Sequence, residues 1–254
     1  MTVRRTAGGG VAGVRRAFTL IECLVSVTLA AVLIALAVPA LRGARHEAHN
    51  TRSIANLRTH AGTLQFYLGD WRDDFPAFMD PRARRTTFFA AGEEITGTYF
   101  ESFYLWQFAL AEQYYEGKLF HDSFRRPHDR AWFAYYYSCS FIASPEYWSH
   151  ATRRGADQWR GVRAAETVFP AHKGVVVEIG EPPPHWPANR RGEPVRMAFA
   201  DGSAQAATPG ALVPPVDDGD GRWENDLRGR TYHSLGMFGC HTVDGARGRD
   251  VRER

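Results

Sequence analysis

The sequence has 254 residues, of which 44% are apolar and 23% are charged. This length is enough to bury a core in one large domain or two small ones. The composition excludes a disordered chain and a polytopic membrane protein. Three cysteines are too few for a disulfide scaffold and lack the spacing of a zinc site. The formal net charge of +3 by itself favours an acidic partner such as nucleic acid or anionic lipid.

The first 38 residues contain the strongest pattern in the chain. Residues 1–17 include four arginines and no acidic residue, and residues 18–38 are apolar apart from Glu22 and three small polar residues. As a helix, this run is roughly 31 Å long, enough to cross a bilayer core. A secretory signal peptide has a shorter apolar core followed by a small-residue cleavage site. A plain membrane anchor leaves the costly carboxylate of Glu22 unexplained.

The chain begins with a basic leader, which is followed by Ala-Phe-Thr-Leu-Ile-Glu at 17–22 and by an apolar helix with Pro39 near its end. This arrangement resembles the leader of type IV pilins and type II secretion pseudopilins. The resemblance implies that a prepilin peptidase cuts between Ala17 and Phe18 and methylates the new amine of Phe18. The family usually has Gly before the cut, so we expect slower processing at Ala17. The implied partners are the peptidase, other pilin or pseudopilin subunits and an inner-membrane assembly platform.

The same resemblance assigns assembly roles to Glu22 and Pro39. A carboxylate within an apolar helix is tolerable if it meets a cation in the assembled state, and the amine of Phe18 on a neighbouring subunit supplies one. Pro39 lacks a backbone N–H and is expected to bend the helix where it leaves the bilayer.

The expected fold is α+β and pilin-like, with a long N-terminal helix packed on a small antiparallel sheet. One helix is predicted over 18–69, with its membrane-spanning part at 18–38. Its outer half carries one apolar face at 3, 4, 3, 4 spacing, which is typical of an amphipathic helix. The residues of this face are Ile54, Leu57, Ala61, Leu64 and Leu68. An external α+β domain is expected over 70–243.

Within that domain, the patterns predict a second, aromatic helix at 101–116 and a strand in the aromatic run 132–143. A further strand is predicted at 175–179, and a hairpin with an Asp201-Gly202 turn at 195–207. Residues 208–230 are expected to form a loop, and residues 244–254 a frayed tail.

Three short motifs in the body resemble a bacterial subgroup of pseudopilin-like proteins with a late Phe-Ala-Asp-Gly motif. They are Asp74-Phe75-Pro76, the segment from Leu105 to Tyr115, and Phe199-Ala200-Asp201-Gly202. The subgroup's usual His before the late motif is replaced by Arg191, and its usual Cys-Pro is absent. The N-terminal third therefore matches well and the remainder loosely.

Two features of the body leave alternatives open. Asp217, Asp218 and Asp220 lie in a Gly-rich loop, where they either bind Ca²⁺ or form a solvated turn. Cys139, expected in a strand, and Cys240 either pair as a disulfide outside the cytoplasm or remain two buried thiols. No other cofactor is indicated.

No enzyme motif is present. His233, His241 and Asp244 have no metal-site spacing, and Gly-x-Ser-x-Gly, His-Glu-x-x-His and a Walker loop are absent. The aromatic clusters are expected to be core and subunit interface rather than ligand cages. Removal of residues 1–17 takes away four arginines and changes the net charge from +3 to −1, so a nucleic-acid partner is not favoured.

The sequence therefore predicts a non-enzymatic filament subunit of a type II secretion pseudopilus or a type IV pilus-like fibre. It is expected in the inner membrane as a single-pass protein, with a cytoplasmic N-terminus and a periplasmic or external globular domain, and in a filament after assembly. The 237 residues left after cleavage exceed a typical major pseudopilin, which favours a minor or tip subunit as an alternative. A membrane-anchored external binding module is the other alternative.

Overall fold

The computed structural model describes most of the chain from Thr19 onward. The described residues are 19–90, 92–115, 124–125, 132–149, 151–178, 194–214, 224–225, 229–230 and 241–252. The chain divides into two compact units, residues 1–49 and residues 50–254. The long N-terminal helix, α1, begins in the first unit and ends in the second.

Helix α1 spans Leu20–Asp70, close to the predicted 18–69. The part that belongs to the second unit is amphipathic, and its predicted apolar face is confirmed. Leu57, Ala61, Leu64 and Leu68 are buried, and Ile54 is partly buried against the same core. Because these side chains recur on one face, a single helical surface covers the core of the domain.

The strands form antiparallel pairs throughout. In chain order they are β1 (Thr86–Ala90), β2 (Glu93–Gly97), β3 (Phe124–Arg125), β4 (Trp132–Phe133), β5 (Tyr135–Tyr137), β6 (Gly174–Glu178), β7 (Val195–Phe199), β8 (Ala204–Ala207), β9 (Glu224–Asn225) and β10 (Gly229–Arg230). The main sheet has the order β5-β6-β7-β8, and β1-β2, β3-β4 and β9-β10 are separate two-stranded pairs. A long helix together with antiparallel sheets confirms the predicted α+β, pilin-like class.

Two predicted parts of the main sheet are present. Strand β6 lies at the position predicted for 175–179, although Ile179 itself is outside the described residues. The hairpin predicted at 195–207 is β7 and β8, with Met197 opposite Gln205. The turn between them contains Gly202 at φ 87°, a left-handed conformation that glycine adopts without a side-chain clash.

The second predicted helix is α2, Ser102–Tyr114. Its side chains enter a core that is unusually rich in aromatic residues. This agrees with the expectation that the aromatic clusters belong to the core. Trp106, Tyr137 and Phe141 are fully buried, and the Trp106 indole N–H donates to the carbonyl of Tyr135 at 3.3 Å. Aromatic rings bury large areas, so this cluster supplies much of the apolar contact between α1, α2 and the sheet.

The strand predicted over 132–143 is shorter than expected. After β5 the chain leaves the sheet at Ser138, and Cys139–Phe141 form a single 3₁₀ turn. The N–H of Phe141 donates to the carbonyl of Ser138 at 3.1 Å, and that of Ile142 donates to Cys139 at 3.0 Å. These turn bonds replace a strand ladder, so Cys139 lies in a turn rather than a strand.

The prediction of a frayed tail over 244–254 is wrong for the residues described there. Gly245–Arg247 form a 3₁₀ turn, Val251 bridges to Leu212, and Asp250 is buried. The composition of this segment is polar, but Asp250 has a long-range partner in Lys173, 3.0 Å away. The predicted loop at 208–230 likewise contains a 3₁₀ turn at Pro209–Ala211 and the short strands β9 and β10.

Candidate processing and assembly segment

The start of α1 is closed by a reciprocal pair of hydrogen bonds between Thr19 and Glu22. The backbone N–H and the hydroxyl of Thr19 both donate to Oε2 of Glu22 at 2.9 Å, and the N–H of Glu22 donates to the Thr19 hydroxyl at 3.2 Å. This is a capping box, in which the carboxylate satisfies N–H groups that lack a partner at a helix start. In the single chain, Glu22 therefore acts as a helix cap, and Oε1 accepts neither of these bonds.

Polar side chains inside the apolar run bond back to their own helix. The Ser26 hydroxyl donates to the carbonyl of Glu22 at 2.7 Å, and the Thr28 hydroxyl donates to that of Val25 at 2.8 Å. Hydroxyls satisfied in this way can enter a bilayer without an orphan donor. Every residue from Thr19 to His49 is exposed. Within the ranges described, α1 is the one helix long and apolar enough to cross a membrane.

The predicted processing and assembly residues lie in sequence along one segment rather than in one cluster. Ala17 and Phe18 fall outside the described residues. Glu22 is in the first turn of α1, and Pro39 lies inside the same helix, which continues to Asp70. Pro39 thus occupies the middle of a long helix, and the bend proposed for it stays a prediction.

The calcium and disulfide predictions fall on the part of the chain that is not described. Asp217, Asp218, Asp220 and Cys240 are all outside the described residues, whereas Cys139 is buried. Both interpretations therefore remain predictions. Among the residues that the structure does describe, no group of three or more His, Cys, Asp or Glu side chains is placed to hold a metal ion.

The Phe-Ala-Asp-Gly motif has a structural role in the turn from β7 to β8. Phe199 is fully buried, and Oδ1 of Asp201 accepts the N–H of Ser203 at 2.9 Å and its hydroxyl at 2.7 Å. The side-chain amide of Gln65 on α1 donates to the carbonyl of Ala200 at 2.8 Å. The motif therefore shapes a turn and attaches it to the outer half of α1.

A polar contact that the sequence does not reveal joins α1 to the sheet near Asn50. The hydroxyl of Ser53 donates to Oε2 of Glu178 on β6, and Arg196 on β7 contacts the same oxygen at 3.1 Å. Arg196 also donates to the side chain of Asn50. These residues are far apart in sequence, and no spacing pattern relates them.

The comparisons with known proteins agree with the N-terminal pattern. Residues 14–38 match the family model described as the prokaryotic N-terminal methylation motif. No curated protein and no solved structure matches the chain. The matched residues include the leader's last arginines, Glu22 and most of the exposed apolar half of α1. The match covers 25 of the 254 residues, and through this segment the chain is similar to prepilin-type proteins such as type IV pilins and pseudopilins.

Proposed function

We propose that the chain is a non-enzymatic structural subunit of a filament, either a type II secretion pseudopilus or a type IV pilus-like fibre. The observation that carries the proposal is the methylation motif at 14–38, which covers the start of α1, where every residue from Thr19 to His49 is exposed. The exposed apolar side chains of this first half need either a lipid environment or neighbouring helices. A filament core of packed N-terminal helices supplies the second environment after the bilayer has supplied the first.

Processing precedes assembly in this proposal. Prepilin peptidase cuts between Ala17 and Phe18 and methylates Phe18, which leaves a cationic amine at the start of the helix. The carboxylate of Glu22 then pairs with the Phe18 amine of a neighbouring subunit and fixes the axial register. An inner-membrane platform would add subunits one at a time.

The proposed topology places the leader in the cytoplasm and the globular unit outside the inner membrane. The leader must face the peptidase, and four arginines precede the apolar run, whereas Arg42, Arg45 and Arg52 follow it. The processed chain has a net charge of −1, which gives no support to nucleic-acid binding.

Mass spectrometry of the mature N-terminus tests processing directly. In cells with an active prepilin peptidase, we expect the chain to begin at N-methylated Phe18. The matched control is the same strain with an inactive peptidase, in which residues 1–17 should remain attached. A chain that retains residues 1–17 beside an active peptidase contradicts the proposal.

A second candidate is a minor or tip subunit, or a membrane-anchored external module, that binds a ligand. The favouring observation is a cleft in the globular unit that contains the half-exposed indole of Trp71. Subunit counting in sheared, purified filaments separates the candidates. A principal subunit accounts for most of the filament mass, a tip subunit is present in very few copies, and an anchored module is absent.

A further inference from the structure

A cleft of about 850 Å³ lies where α1 ends in the globular unit. It is lined by Tyr67 and Trp71 at the end of the helix and by Phe75 in the turn that follows. Residues of the segment 160–166 also line it. The volume is within the range of small-molecule binding sites in proteins.

The indole of Trp71 is held in one orientation although about half of its surface is exposed. Its exposed fraction is 52%. The indole N–H donates to the hydroxyl of Tyr114 at 3.1 Å, and that hydroxyl donates to Asp70 at 2.9 Å. The ring also lies nearly parallel to that of Tyr67, with centroids 5.6 Å apart and 12° between the planes. An exposed ring that is already fixed loses little conformational entropy when a ligand packs on it.

The backbone beside Trp71 turns sharply at the end of α1 and is held by hydrogen bonds to segment 160–166. Arg72 and Asp73 have φ values of 54° and 63°, which are unusual for residues other than glycine. The carbonyl of Asp73 accepts the N–H of Ala164 at 2.7 Å, and the N–H of Phe75 donates to the carbonyl of Val162 at 2.8 Å. The two residues of positive φ end α1, because the N–H of Asp73 also donates to the carbonyl of Leu68 at 2.9 Å, and the bonds to segment 160–166 fix this helix end beside Trp71.

The charges around the cleft are balanced. Arg160 makes two hydrogen bonds to the carboxylate of Glu166, at 2.7 and 2.8 Å. This pairing lowers the pKa of Glu166 and raises that of Arg160. Arg163 lies 3.5 Å from Asp74, and both side chains are at least half exposed. An anionic ligand would have to displace a carboxylate from its arginine, so the cleft favours a neutral ligand.

We propose that this cleft binds a neutral saccharide. A pyranose ring has an apolar C–H face that packs on an indole, and hydroxyl groups at its edge that both donate and accept hydrogen bonds. In the cleft, the ring would pack on Trp71. Its hydroxyls would donate to the carboxylate of Asp74 and accept from the guanidinium of Arg163. This site is independent of whether the chain polymerises.

The test is binding of neutral oligosaccharides to the full chain, purified in a zwitterionic detergent that contains no sugar. The probes are cellohexaose, chitohexaose and maltohexaose, titrated by calorimetry and by saturation-transfer NMR. Trp71→Ala should weaken the binding of the preferred sugar by about 10-fold or more, and Trp71→Phe by only about 3-fold. Phe66→Ala is the matched control, because Phe66 is a 75%-exposed aromatic residue of α1 that does not line the cleft.

Each outcome supports or overturns the proposal. Binding of a neutral oligosaccharide that depends on Trp71 and not on Phe66 supports it. It is overturned if none of the three sugars binds, or if Trp71→Ala binds as the unchanged chain does. Polygalacturonate and an unstructured neutral peptide serve as comparison ligands. If either binds through Trp71 while the neutral sugars do not, the cleft recognises a different class of ligand and the saccharide proposal fails.

Discussion

The ammonium Nζ of Lys173 lies 3.0 Å from Oδ2 of Asp250, and both side chains are almost completely buried. The hydroxyl of Thr242 contacts both the Lys173 ammonium and the Asp250 carboxylate. Oδ2 of Asp250 also accepts the N–H of Gly174 at 2.8 Å. Opposite charges offset their loss of hydration only where further hydrogen bonds complete their polar contacts, as they do here. The pair therefore attaches the C-terminal segment to the start of β6.

This contact predicts that the C-terminal segment contributes to the stability of the domain. Asp250→Ala should lower the free energy of unfolding by about 3–5 kcal/mol, because it removes the buried carboxylate that pairs with the Lys173 ammonium and accepts the N–H of Gly174. Urea unfolding of the full chain measures the change. Asp157→Ala, at an exposed aspartate, is the control and should change the free energy by less than about 0.5 kcal/mol.

Truncation after Val243 provides a second measurement of the same contact. It removes Asp250 and Val251 together, and we expect at least as large a loss of stability as for Asp250→Ala. A truncated chain that unfolds at the same urea concentration as the full chain would mean that this segment is frayed after all.

Stability should also depend on pH through His60. Its ring is fully buried, near Trp106 and Tyr135, and Nδ1 lies 2.7 Å from the hydroxyl of Tyr115. Burial lowers the pKa of His60 from 6.5 to about 3. Between these values the unfolded chain binds the proton and the folded chain does not. The free energy of unfolding should therefore fall as the pH falls through this window, by at most about 1.4 kcal/mol per pH unit.

His60→Gln separates this contribution from those of other acids and bases. Glutamine keeps a hydrogen-bonding group near Tyr115 but does not titrate, so the variant should lose part of the pH dependence between pH 6.5 and 4.5. His46→Gln, at an exposed position on α1, should keep it. If the free energy of unfolding falls equally steeply with falling pH in the unchanged chain and in His60→Gln, His60 is protonated in the folded domain without a cost in stability.

Local patterns predicted the helices and the main hairpin because these elements depend on neighbours in sequence. The apolar spacing from Ile54 to Leu68 specified the outer face of α1, and Asp201-Gly202 specified the turn between β7 and β8. The hairpin of β1 and β2 was missed, although Gly92, at φ 80°, follows a run of Thr and Phe and offered a turn signal.

The contacts that depend on distant parts of the chain were not predictable. Lys173 and Asp250 are 77 positions apart, and nothing local distinguishes Asp250 from the other acids in a polar segment. The Trp71 cleft joins residues 67–77 to residues 160–166 through backbone hydrogen bonds, which have no residue pattern. One clue was available: Lys173 is one of only two lysines in a chain with 31 basic residues.

The same substitution, Gly to Ala, should change the free energy of unfolding in opposite directions at Gly161 and Gly62. A Cβ at Gly161 would lie 2.4 Å from the carbonyl oxygen of Phe75, whereas a Cβ at Gly62 has nothing within 4 Å beyond its own helix. Gly161→Ala should therefore lower the free energy of unfolding by about 1–3 kcal/mol through forced backbone shifts. Gly62→Ala should raise it by up to about 1 kcal/mol through helix propensity.

Urea unfolding of both variants under the same conditions is the measurement. Because the substitution is identical, any general effect of an added methyl group cancels in the comparison. A neutral Gly161→Ala variant would mean that the turn at Phe75 can move away from segment 160–166 at no cost.

The double role of Glu22, as helix cap in the single chain and as the proposed partner of a neighbouring amine, can be divided by mutation. Glu22→Gln keeps an acceptor for the Thr19 N–H but removes the charge, so the cap should persist and assembly should fail. Thr19→Ala weakens the cap but keeps the carboxylate, so assembly should continue. Both variants should insert into the membrane fraction as the unchanged chain does.

Sheared filaments, quantified by immunoblot beside the membrane fraction, measure assembly. Normal incorporation of Glu22→Gln would show that the negative charge is not required, whereas failure of Thr19→Ala alone would assign the role of Glu22 to capping.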